Sequence, residues 1–581
     1  MINFDFLEFG RQHLAPLPPG KTGTDRFAPI RRCRIGSLAL PLDGARDDLL
    51  QHLLEGGVAR FGLAAGIPAS EKVPLIPVLT LERSRPSEFN RHRRDRHRFG
   101  SSILAIRAAR GTIRAESVYY SIAVFNLVES MNHSQEKSTY TTDGSGHFLA
   151  LVSLALITGV FAGLLGGLFR LLLVHADIWR SALIDRAHGL GTAGLPTVVI
   201  GAAILVAFAA WLVRRFAPSA AGSGIPNVEA ALDQRLRPAA FMILIPIKFV
   251  GGVLAIGSGL ALGREGPSVQ MGASAGHLMS ELSRRSWPDH RALIAAGAGA
   301  GLATAFNAPL AGAIFVLEEL YKRFEIRIAV AALTASVTAI GVSRLLLGDA
   351  PDFNVSEFSV ATITQPLFFL LGVIAGLLAV LYNSMLLGAL AIADRLSRVP
   401  VELRAGVIGA AVGALAWFAP AIVGGGDAIT QGVLTGAGTL TMLPILYAIR
   451  LVLSTASYAA GTPGGLFAPM LVLGAQSGLF FGLVVEAIFP GSGIQPESFA
   501  IVGMAALFTG IVRAPLTGII LTAEMTGSVT LVLPMLAACA IAMVIPTLFG
   551  SAPIYDSLRE RLLSAGGASV EPHAGNASRH D

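Results

Sequence analysis

Between about residue 147 and residue 550 the chain runs through one apolar stretch after another, and three short motifs rich in glycine and proline interrupt them. They are Gly222-Ser223-Gly224-Ile225-Pro226, Gly263-Arg264-Glu265-Gly266-Pro267 and Gly464-Gly465-Leu466-Phe467-Ala468-Pro469. Each breaks a helix at membrane depth. Unpaired peptide groups are so costly in hydrocarbon that such breaks survive only where they are buried in protein or line a polar cavity. Three of them imply a pathway. The serine hydroxyl, the glycines and the free amides supply hydrogen-bond donors, which suits an anion, and Glu265 places one carboxylate among them.

Composition fixes the class. Of the 581 residues, 53% are hydrophobic and only 14% charged, and the mean hydropathy is +0.63, outside the soluble range and inside that of polytopic membrane proteins. Several apolar stretches are too short or too glycine-rich for a simple span of about 20 residues, so re-entrant and broken helices are expected. The net charge of +6 comes mostly from arginine in the first 130 residues and in loops. It reads as topology and interface charge; no basic patch is interleaved with aromatics, which argues against a nucleic-acid surface. Cys33 and Cys539 lie far apart, one in a polar and one in an apolar segment, so neither a disulfide framework nor a cysteine metal site is expected. No lysine closes a Walker-type glycine loop and no histidine pair stands at ligand spacing beside a carboxylate, so no metal, nucleotide or organic cofactor is expected.

Residues 1–130 differ from the rest, mixing proline-rich pieces with an Arg-His run from Arg91 to Arg98. Two readings stay open for them: an over-extended reading frame whose natural start is Met131, or a weakly ordered cytoplasmic extension. Residues 131–146 form a polar lead-in, and residues 550–581 hold a final tyrosine and a short polar tail, so no C-terminal regulatory domain is expected.

The apolar part repeats. Ala308-Pro309-Leu310-Ala311-Gly312 with Glu318 recurs as Ala514-Pro515-Leu516-Thr517-Gly518 with Glu524, and Pro267, Gly272 and Gly276 align with Pro469, Gly474 and Gly478. Two membrane repeats follow, 147–347 and 366–549. Corresponding breaks in two halves point to a binding site at the repeat interface.

Each candidate residue has a plain alternative. Ser223 between glycines could ease helix packing. An intramembrane ionisable group such as Glu265 is a functional hypothesis by default, unless it pairs with Arg264; adjacent helical residues face apart. A carboxylate beside an anion site can occupy that site as a surrogate anion and leave it on protonation. Glu318 and Glu319 end an apolar run, and the alternative there is a solvated helix end in which Glu319 pairs with Lys322. Tyr555 at a membrane boundary reads as an interfacial anchor. The amides of Leu466 and Phe467 open a helix and point their N–H groups and positive dipole end at an anion. Lys248 and Arg264 are cations positioned either to raise the potential along an anion route or to pair structurally. His277 reads as a packing histidine, and Glu229 and Glu524 as structural carboxylates.

The three motifs, their order, the repeat and the segment from Phe306-Asn307-Ala308-Pro309 to Glu318-Glu319 resemble the CLC family of chloride channels and chloride/proton antiporters, over roughly residues 147–560. The resemblance implies an all-α polytopic fold of two inverted-topology repeats of tilted and broken helices, without C-terminal regulatory domains. It implies that Ser223, Leu466, Phe467 and Tyr555 bind chloride, serine at that place suiting chloride and proline nitrate. It makes Glu265 the external gate and proton acceptor and Glu319 the internal proton-transfer residue, with Gly222, Gly224, Arg264, Gly266, Glu318 and Lys248 in support. Glu318 is expected to assist Glu319 by hydrogen bonding and water access. The function implied is chloride/proton exchange in a bacterial inner membrane by a homodimer, its interface expected on helices around residues 291–345 and 403–450. A passive chloride channel is the nearest alternative, disfavoured by Glu319. An intramembrane serine hydrolase acting through Ser223 is a distant one, since only His277 offers a base.

Overall fold

The computed structural model describes residues 58–62, 78–82, 144–236, 241–355, 365–490 and 493–565. The chain divides into two units, Met1–Ser138 and Thr139–Asp581. In the first, β1 (Val58–Gly62) and β2 (Val78–Glu82) form an antiparallel ribbon with Val58 opposite Glu82, the only strands among the described residues. The readings of the rest of residues 1–130 and of Met131 as a start lie outside the described residues.

The second unit holds 17 helices among its described residues. The first set is α1 (Gly144–His188), α2 (Gly194–Phe216), α3 (Ile225–Leu232), α4 (Phe241–Gly257), α5 (Glu265–Leu282), α6 (Trp287–Phe306), α7 (Pro309–Phe315) and α8 (Ile326–Leu347). The second is α9 (Gln365–Arg395), α10 (Val401–Phe418), α11 (Asp427–Leu434), α12 (Met442–Ala459), α13 (Phe467–Ile488), α14 (Pro496–Val512), α15 (Pro515–Thr526) and α16 (Val532–Leu548), with α17 (Ile554–Ala565) left over. The sets correspond member by member. The eight-residue α3 and α11 each follow a single 3-10 turn, and each begins after a left-handed glycine, Gly224 at φ 82° and Gly426 at φ 100°. Packing follows the same plan: α5 lies on α6 as α13 lies on α14, and α1 on α8 as α9 on α16, while α2 on α10 and α7 on α15 join the repeats. The equivalent helices α5 and α13 meet at their first residues, as an inverted pair must if both start near the midplane and end at opposite surfaces.

Seven helices are long and apolar enough to cross a membrane, and α4, α14 and α16 are shorter apolar helices. The outer faces are greasy, with Leu149, Ile204 and Ile445 each more than 60% exposed, a surface suited to lipid and unsuited to water. The interior is built on small residues. Every residue of α6 from Ala292 to Phe306 is buried. Backbones touch where Gly272 faces Gly297 and Gly474 faces Gly503, because no Cβ intervenes. Burial of α6 corrects part of the expected subunit interface: residues 292–306 lie inside the protomer, whereas α8 does present Leu333 and Val337 outward.

Charge separates the two ends. At one, Arg214 pairs with Glu402, Arg561 with Asp394, Lys322 with Asp556 and Arg327 with Asp289, and further arginines such as Arg284, Arg323, Arg395 and Arg398 accompany them. At the other, Arg170 and Arg264 share Asp352, with Asp427 and Asp349 nearby. The arginine-rich end faces the cytoplasm by the positive-inside rule.

A Cβ at Gly297 would run into the Gly272 carbonyl, with its carbon at 2.8 Å. Gly297→Val should therefore lower the melting midpoint of the detergent-purified protein, overpacking of this kind costing about 1–3 kcal/mol. Gly341→Val, where nothing lies within 4 Å of the added carbon, should leave it unchanged.

Candidate functional site

The three broken segments pair with one another. Gly222 donates its N–H to the Thr462 carbonyl at 3.0 Å and accepts from Gly464 at 3.1 Å, while Gly263 and Gly465 exchange N–H···O bonds of 2.9 and 2.7 Å. Peptide groups that a helix would have satisfied are thereby satisfied across the repeats. The pairing brings the starts of α3, α5 and α13 together, and three sets of helix-initiating amides converge on one buried place.

Glu265 sits there, fully buried, with Oε1 accepting the Phe467 N–H at 2.6 Å and Oε2 without a partner. Gly263 and Gly465 leave room for its carboxyl group; a Cβ on Gly465 would stand 2.6 Å from Cδ of Glu265. Arg264 does not neutralise it. Its guanidinium turns to Asp427 at 2.6 Å, Asp352 at 3.1 Å and the Ala305 carbonyl at 2.7 Å, so the cation is paired structurally.

Ser223 and Tyr555 belong to the same place. Ser223 is 1% exposed and its Oγ has no partner; Gly266 on α5 allows its approach, since a Cβ there would lie 2.7 Å from that oxygen. Tyr555 is wholly buried with an unpartnered hydroxyl, which removes the interfacial-anchor reading. Its ring centroid lies 5.8 Å from that of Phe467, which also contacts Phe306, Phe315 and Phe508. Leu466 is the N-cap of α13 and buried. Two buried hydroxyls without partners, an amide terminus and one carboxylate form a cluster whose donors lack an acceptor, apart from the carboxylate itself.

Lys248 holds the first break in place. Its buried ammonium donates to the carbonyls of Ala220 at 3.0 Å and Gly222 at 2.8 Å. The second repeat does the same with Arg450, whose guanidinium takes the carbonyls of Ile422 and Gly424 at 2.9 Å and Gly425 at 3.2 Å. Sequence reasoning missed Arg450. The signal was there: Lys248 and Arg450 stand one repeat apart, as Gly222 and Gly424 do. Tyr458 was missed as well; its hydroxyl accepts the Ser223 N–H at 3.4 Å.

The paired glutamates part company. Glu319 lies on the π turn Val316–Leu320 after α7, 3% exposed with Oε1 unpartnered. Lys322 does not take it up, since its ammonium bonds Asp556 at 2.7 Å. Glu319 is in electrostatic range of Lys322 and of buried Glu229, whose Oε2 is 3.6 Å from Arg559. Glu229 thus joins the candidate site, although its sequence setting suggested a structural carboxylate. Glu318 corrects an expectation: it accepts from Leu516 N at 3.0 Å and Thr517 N and Oγ1 at 2.6 and 2.7 Å, capping α15 rather than bonding Glu319. Glu524 returns the cap, accepting from Leu310 and Ala311 at the start of α7. Both helices open with orphan amides, which a carboxylate from the opposite repeat satisfies. His277 bonds His290 at 3.1 Å, as a packing histidine would.

Fold and site together define a membrane transport protein with a buried, donor-rich site between inverted repeats. The chain belongs to the voltage-gated chloride channel family, CLC, whose model matches residues 205–547. It is 37% identical over 431 residues to the H(+)/Cl(-) exchange transporter ClcA of Vibrio parahaemolyticus, covering 73% of this chain and 92% of the relative. It is 39% identical to that of Cronobacter sakazakii, covering 72% and 90%. Among solved structures it is similar to a slow cyanobacterial Cl−/H+ antiporter, with a TM-score of 0.68 and 34% identity over 71% of this chain and 98% of that one. A CLC-type fluoride/proton antiporter shares the fold at a TM-score of 0.61 and 22% identity, over 72% of this chain and 98% of that one.

Lys248→Met would remove the ammonium donor of the Ala220 carbonyl and leave Gly222 with the Gly464 N–H alone, and a buried unsatisfied group costs about 1–3 kcal/mol. The variant should melt at a lower temperature than wild type and bind chloride more weakly in calorimetric titration. Unchanged values in both would mean that the ammonium does not hold the break.

Proposed function

We propose that the protein exchanges chloride for protons across a bacterial inner membrane. One observation carries the reading: the Glu265 carboxylate accepts the Phe467 amide at the start of α13, where an anion would sit, while the Ser223 and Tyr555 hydroxyls beside it stand free. A carboxylate and a chloride ion compete for one seat. Chloride that loses its water is held by the Ser223 and Tyr555 hydroxyls and by the amides of Leu466 and Phe467. When a proton reaches Glu265, the neutral side chain loses its attraction to the amide terminus and leaves, and chloride replaces it; on losing the proton the carboxylate returns. Chloride movement and proton movement are tied because the two ligands exclude each other.

Protons need a second acceptor toward the cytoplasm, and Glu319 serves, buried near the arginine-rich end with Glu229 in range. The relatives named H(+)/Cl(-) exchange transporter support this reading over a passive channel. The hydrolase reading lacks a base: His277 stands eleven residues along α5 from the Gly266 contact with Ser223, about 16 Å at helical rise, and is engaged with His290. The protein works as a homodimer in which each protomer keeps its own pathway, and the outward apolar residues of α8 support such a contact.

In proteoliposomes, Glu265→Ala should keep chloride flux and lose proton coupling by at least about tenfold, the difference of roughly 1.4 kcal/mol that a single gating contact readily supplies. Glu319→Gln should also uncouple protons while chloride still moves. Proton movement at the wild-type ratio in either variant would overturn the assignment.

A further inference from the structure

A second pocket lies at the cytoplasmic corner where α9 turns into α10. It is a cleft of about 460 Å³ against the last turn of α12, its walls including Ile392, Leu396, Val399, Leu403, Val407 and Ala459, and Arg404 stands in its lining. The volume is that of a small-molecule site, and the walls are almost wholly apolar. A cleft of this kind on the lipid-facing side of a membrane protein takes a hydrocarbon chain without difficulty.

Charge says which lipid. The corner carries two carboxylates, Asp394 and Glu402, and both are already taken: Asp394 pairs with Arg561 and Glu402 with Arg214. Arg395, Arg398 and Arg404 have no carboxylate among the described residues. Arg404 gives one N–H to the Ala393 carbonyl, and its buried Nε has no hydrogen-bond partner. A buried N–H donor of a charged group without an acceptor is unfavourable, and an oxyanion reaching it over the cleft rim would relieve that. Arg395 and Arg398 immediately precede the lining residues Leu396 and Val399 and are exposed, as headgroup-level arginines are.

We infer that this cleft binds an anionic glycerophospholipid of the cytoplasmic leaflet, one acyl chain lying in the groove and the phosphate held by Arg404 with Arg395 and Arg398. The occupant is a lipid rather than free phosphate, because the apolar walls would gain nothing from an inorganic ion. The inference rests on the membrane setting alone and stands whether or not the protein exchanges protons. The site also touches the transport machinery. Ala456 and Ala459 line the cleft and flank Tyr458, whose hydroxyl holds the Ser223 amide, so an acyl chain there packs against the helix turn that positions the first anion donor.

The test is native mass spectrometry of the delipidated full chain with phosphatidylglycerol or phosphatidylcholine of the same acyl composition. Wild type should retain phosphatidylglycerol about tenfold better than phosphatidylcholine. Arg404→Gln should remove most of that preference, and Arg398→Gln, at an exposed position whose change does not threaten folding, should reduce it by several-fold. Arg323→Gln, on the same face but away from the cleft, should not. Equal retention of the two lipids by wild type, or equal losses in Arg323→Gln and Arg404→Gln, would overturn the site. So would chemical crosslinks placing residues 1–143 in the cleft of the lipid-saturated protein, because the chain itself would then be its occupant.

Discussion

Everything in the membrane unit depends on four backbone hydrogen bonds between broken segments, those joining Gly222 to Thr462 and Gly464 and those exchanged by Gly263 and Gly465. Within hydrocarbon a helix break is admissible only if its peptide groups find partners, and here the partners come from the opposite repeat. The consequence is geometric. Because the breaks pair, the helices that start after them start at one place, and their unpaired N–H groups face a common pocket. The donor-rich character of that place follows from backbone directionality, with Ser223 and Tyr555 adding hydroxyls.

The same twofold logic reappears at each level. Lys248 and Arg450 tether equivalent carbonyl turns, and Glu318 and Glu524 cap each other's repeat. Symmetry is broken where chemistry is needed. Glu265 occupies in the first repeat the position that Phe467 holds in the second, so one helix start contributes a carboxylate and the other an amide and an aromatic ring, and the two bond to each other. The proposed gate rests on that single difference between otherwise matching helix ends.

Much of this was legible in the chain. The breaks, the repeat and the odd carboxylate were visible because glycine, proline and intramembrane charge each have few structural excuses. The Ala308-Pro309 and Ala514-Pro515 copies, with their glutamates at the same spacing, announced the two halves. What stayed hidden was partnership across the repeats. Sequence spacing reports neighbours on one helix, so it offered Lys322 to Glu319 and Arg264 to Glu265, and both cations are taken by carboxylates distant in sequence, Asp556, Asp352 and Asp427. It likewise assigned Glu318 to Glu319, when the acceptor was needed at the start of α15. Burial of α6 was equally unreadable, because a helix apolar on all sides suits lipid and protein interior alike.

The most direct measurement of the central claim follows protons in sealed proteoliposomes under an imposed chloride gradient with no initial proton gradient. Exchange predicts that protons move uphill, against the direction of chloride, and that dissipating the chloride gradient stops them. Chloride flux with no accompanying proton movement would contradict the account, because competition between Glu265 and chloride for the Phe467 amide would then not couple the two ions.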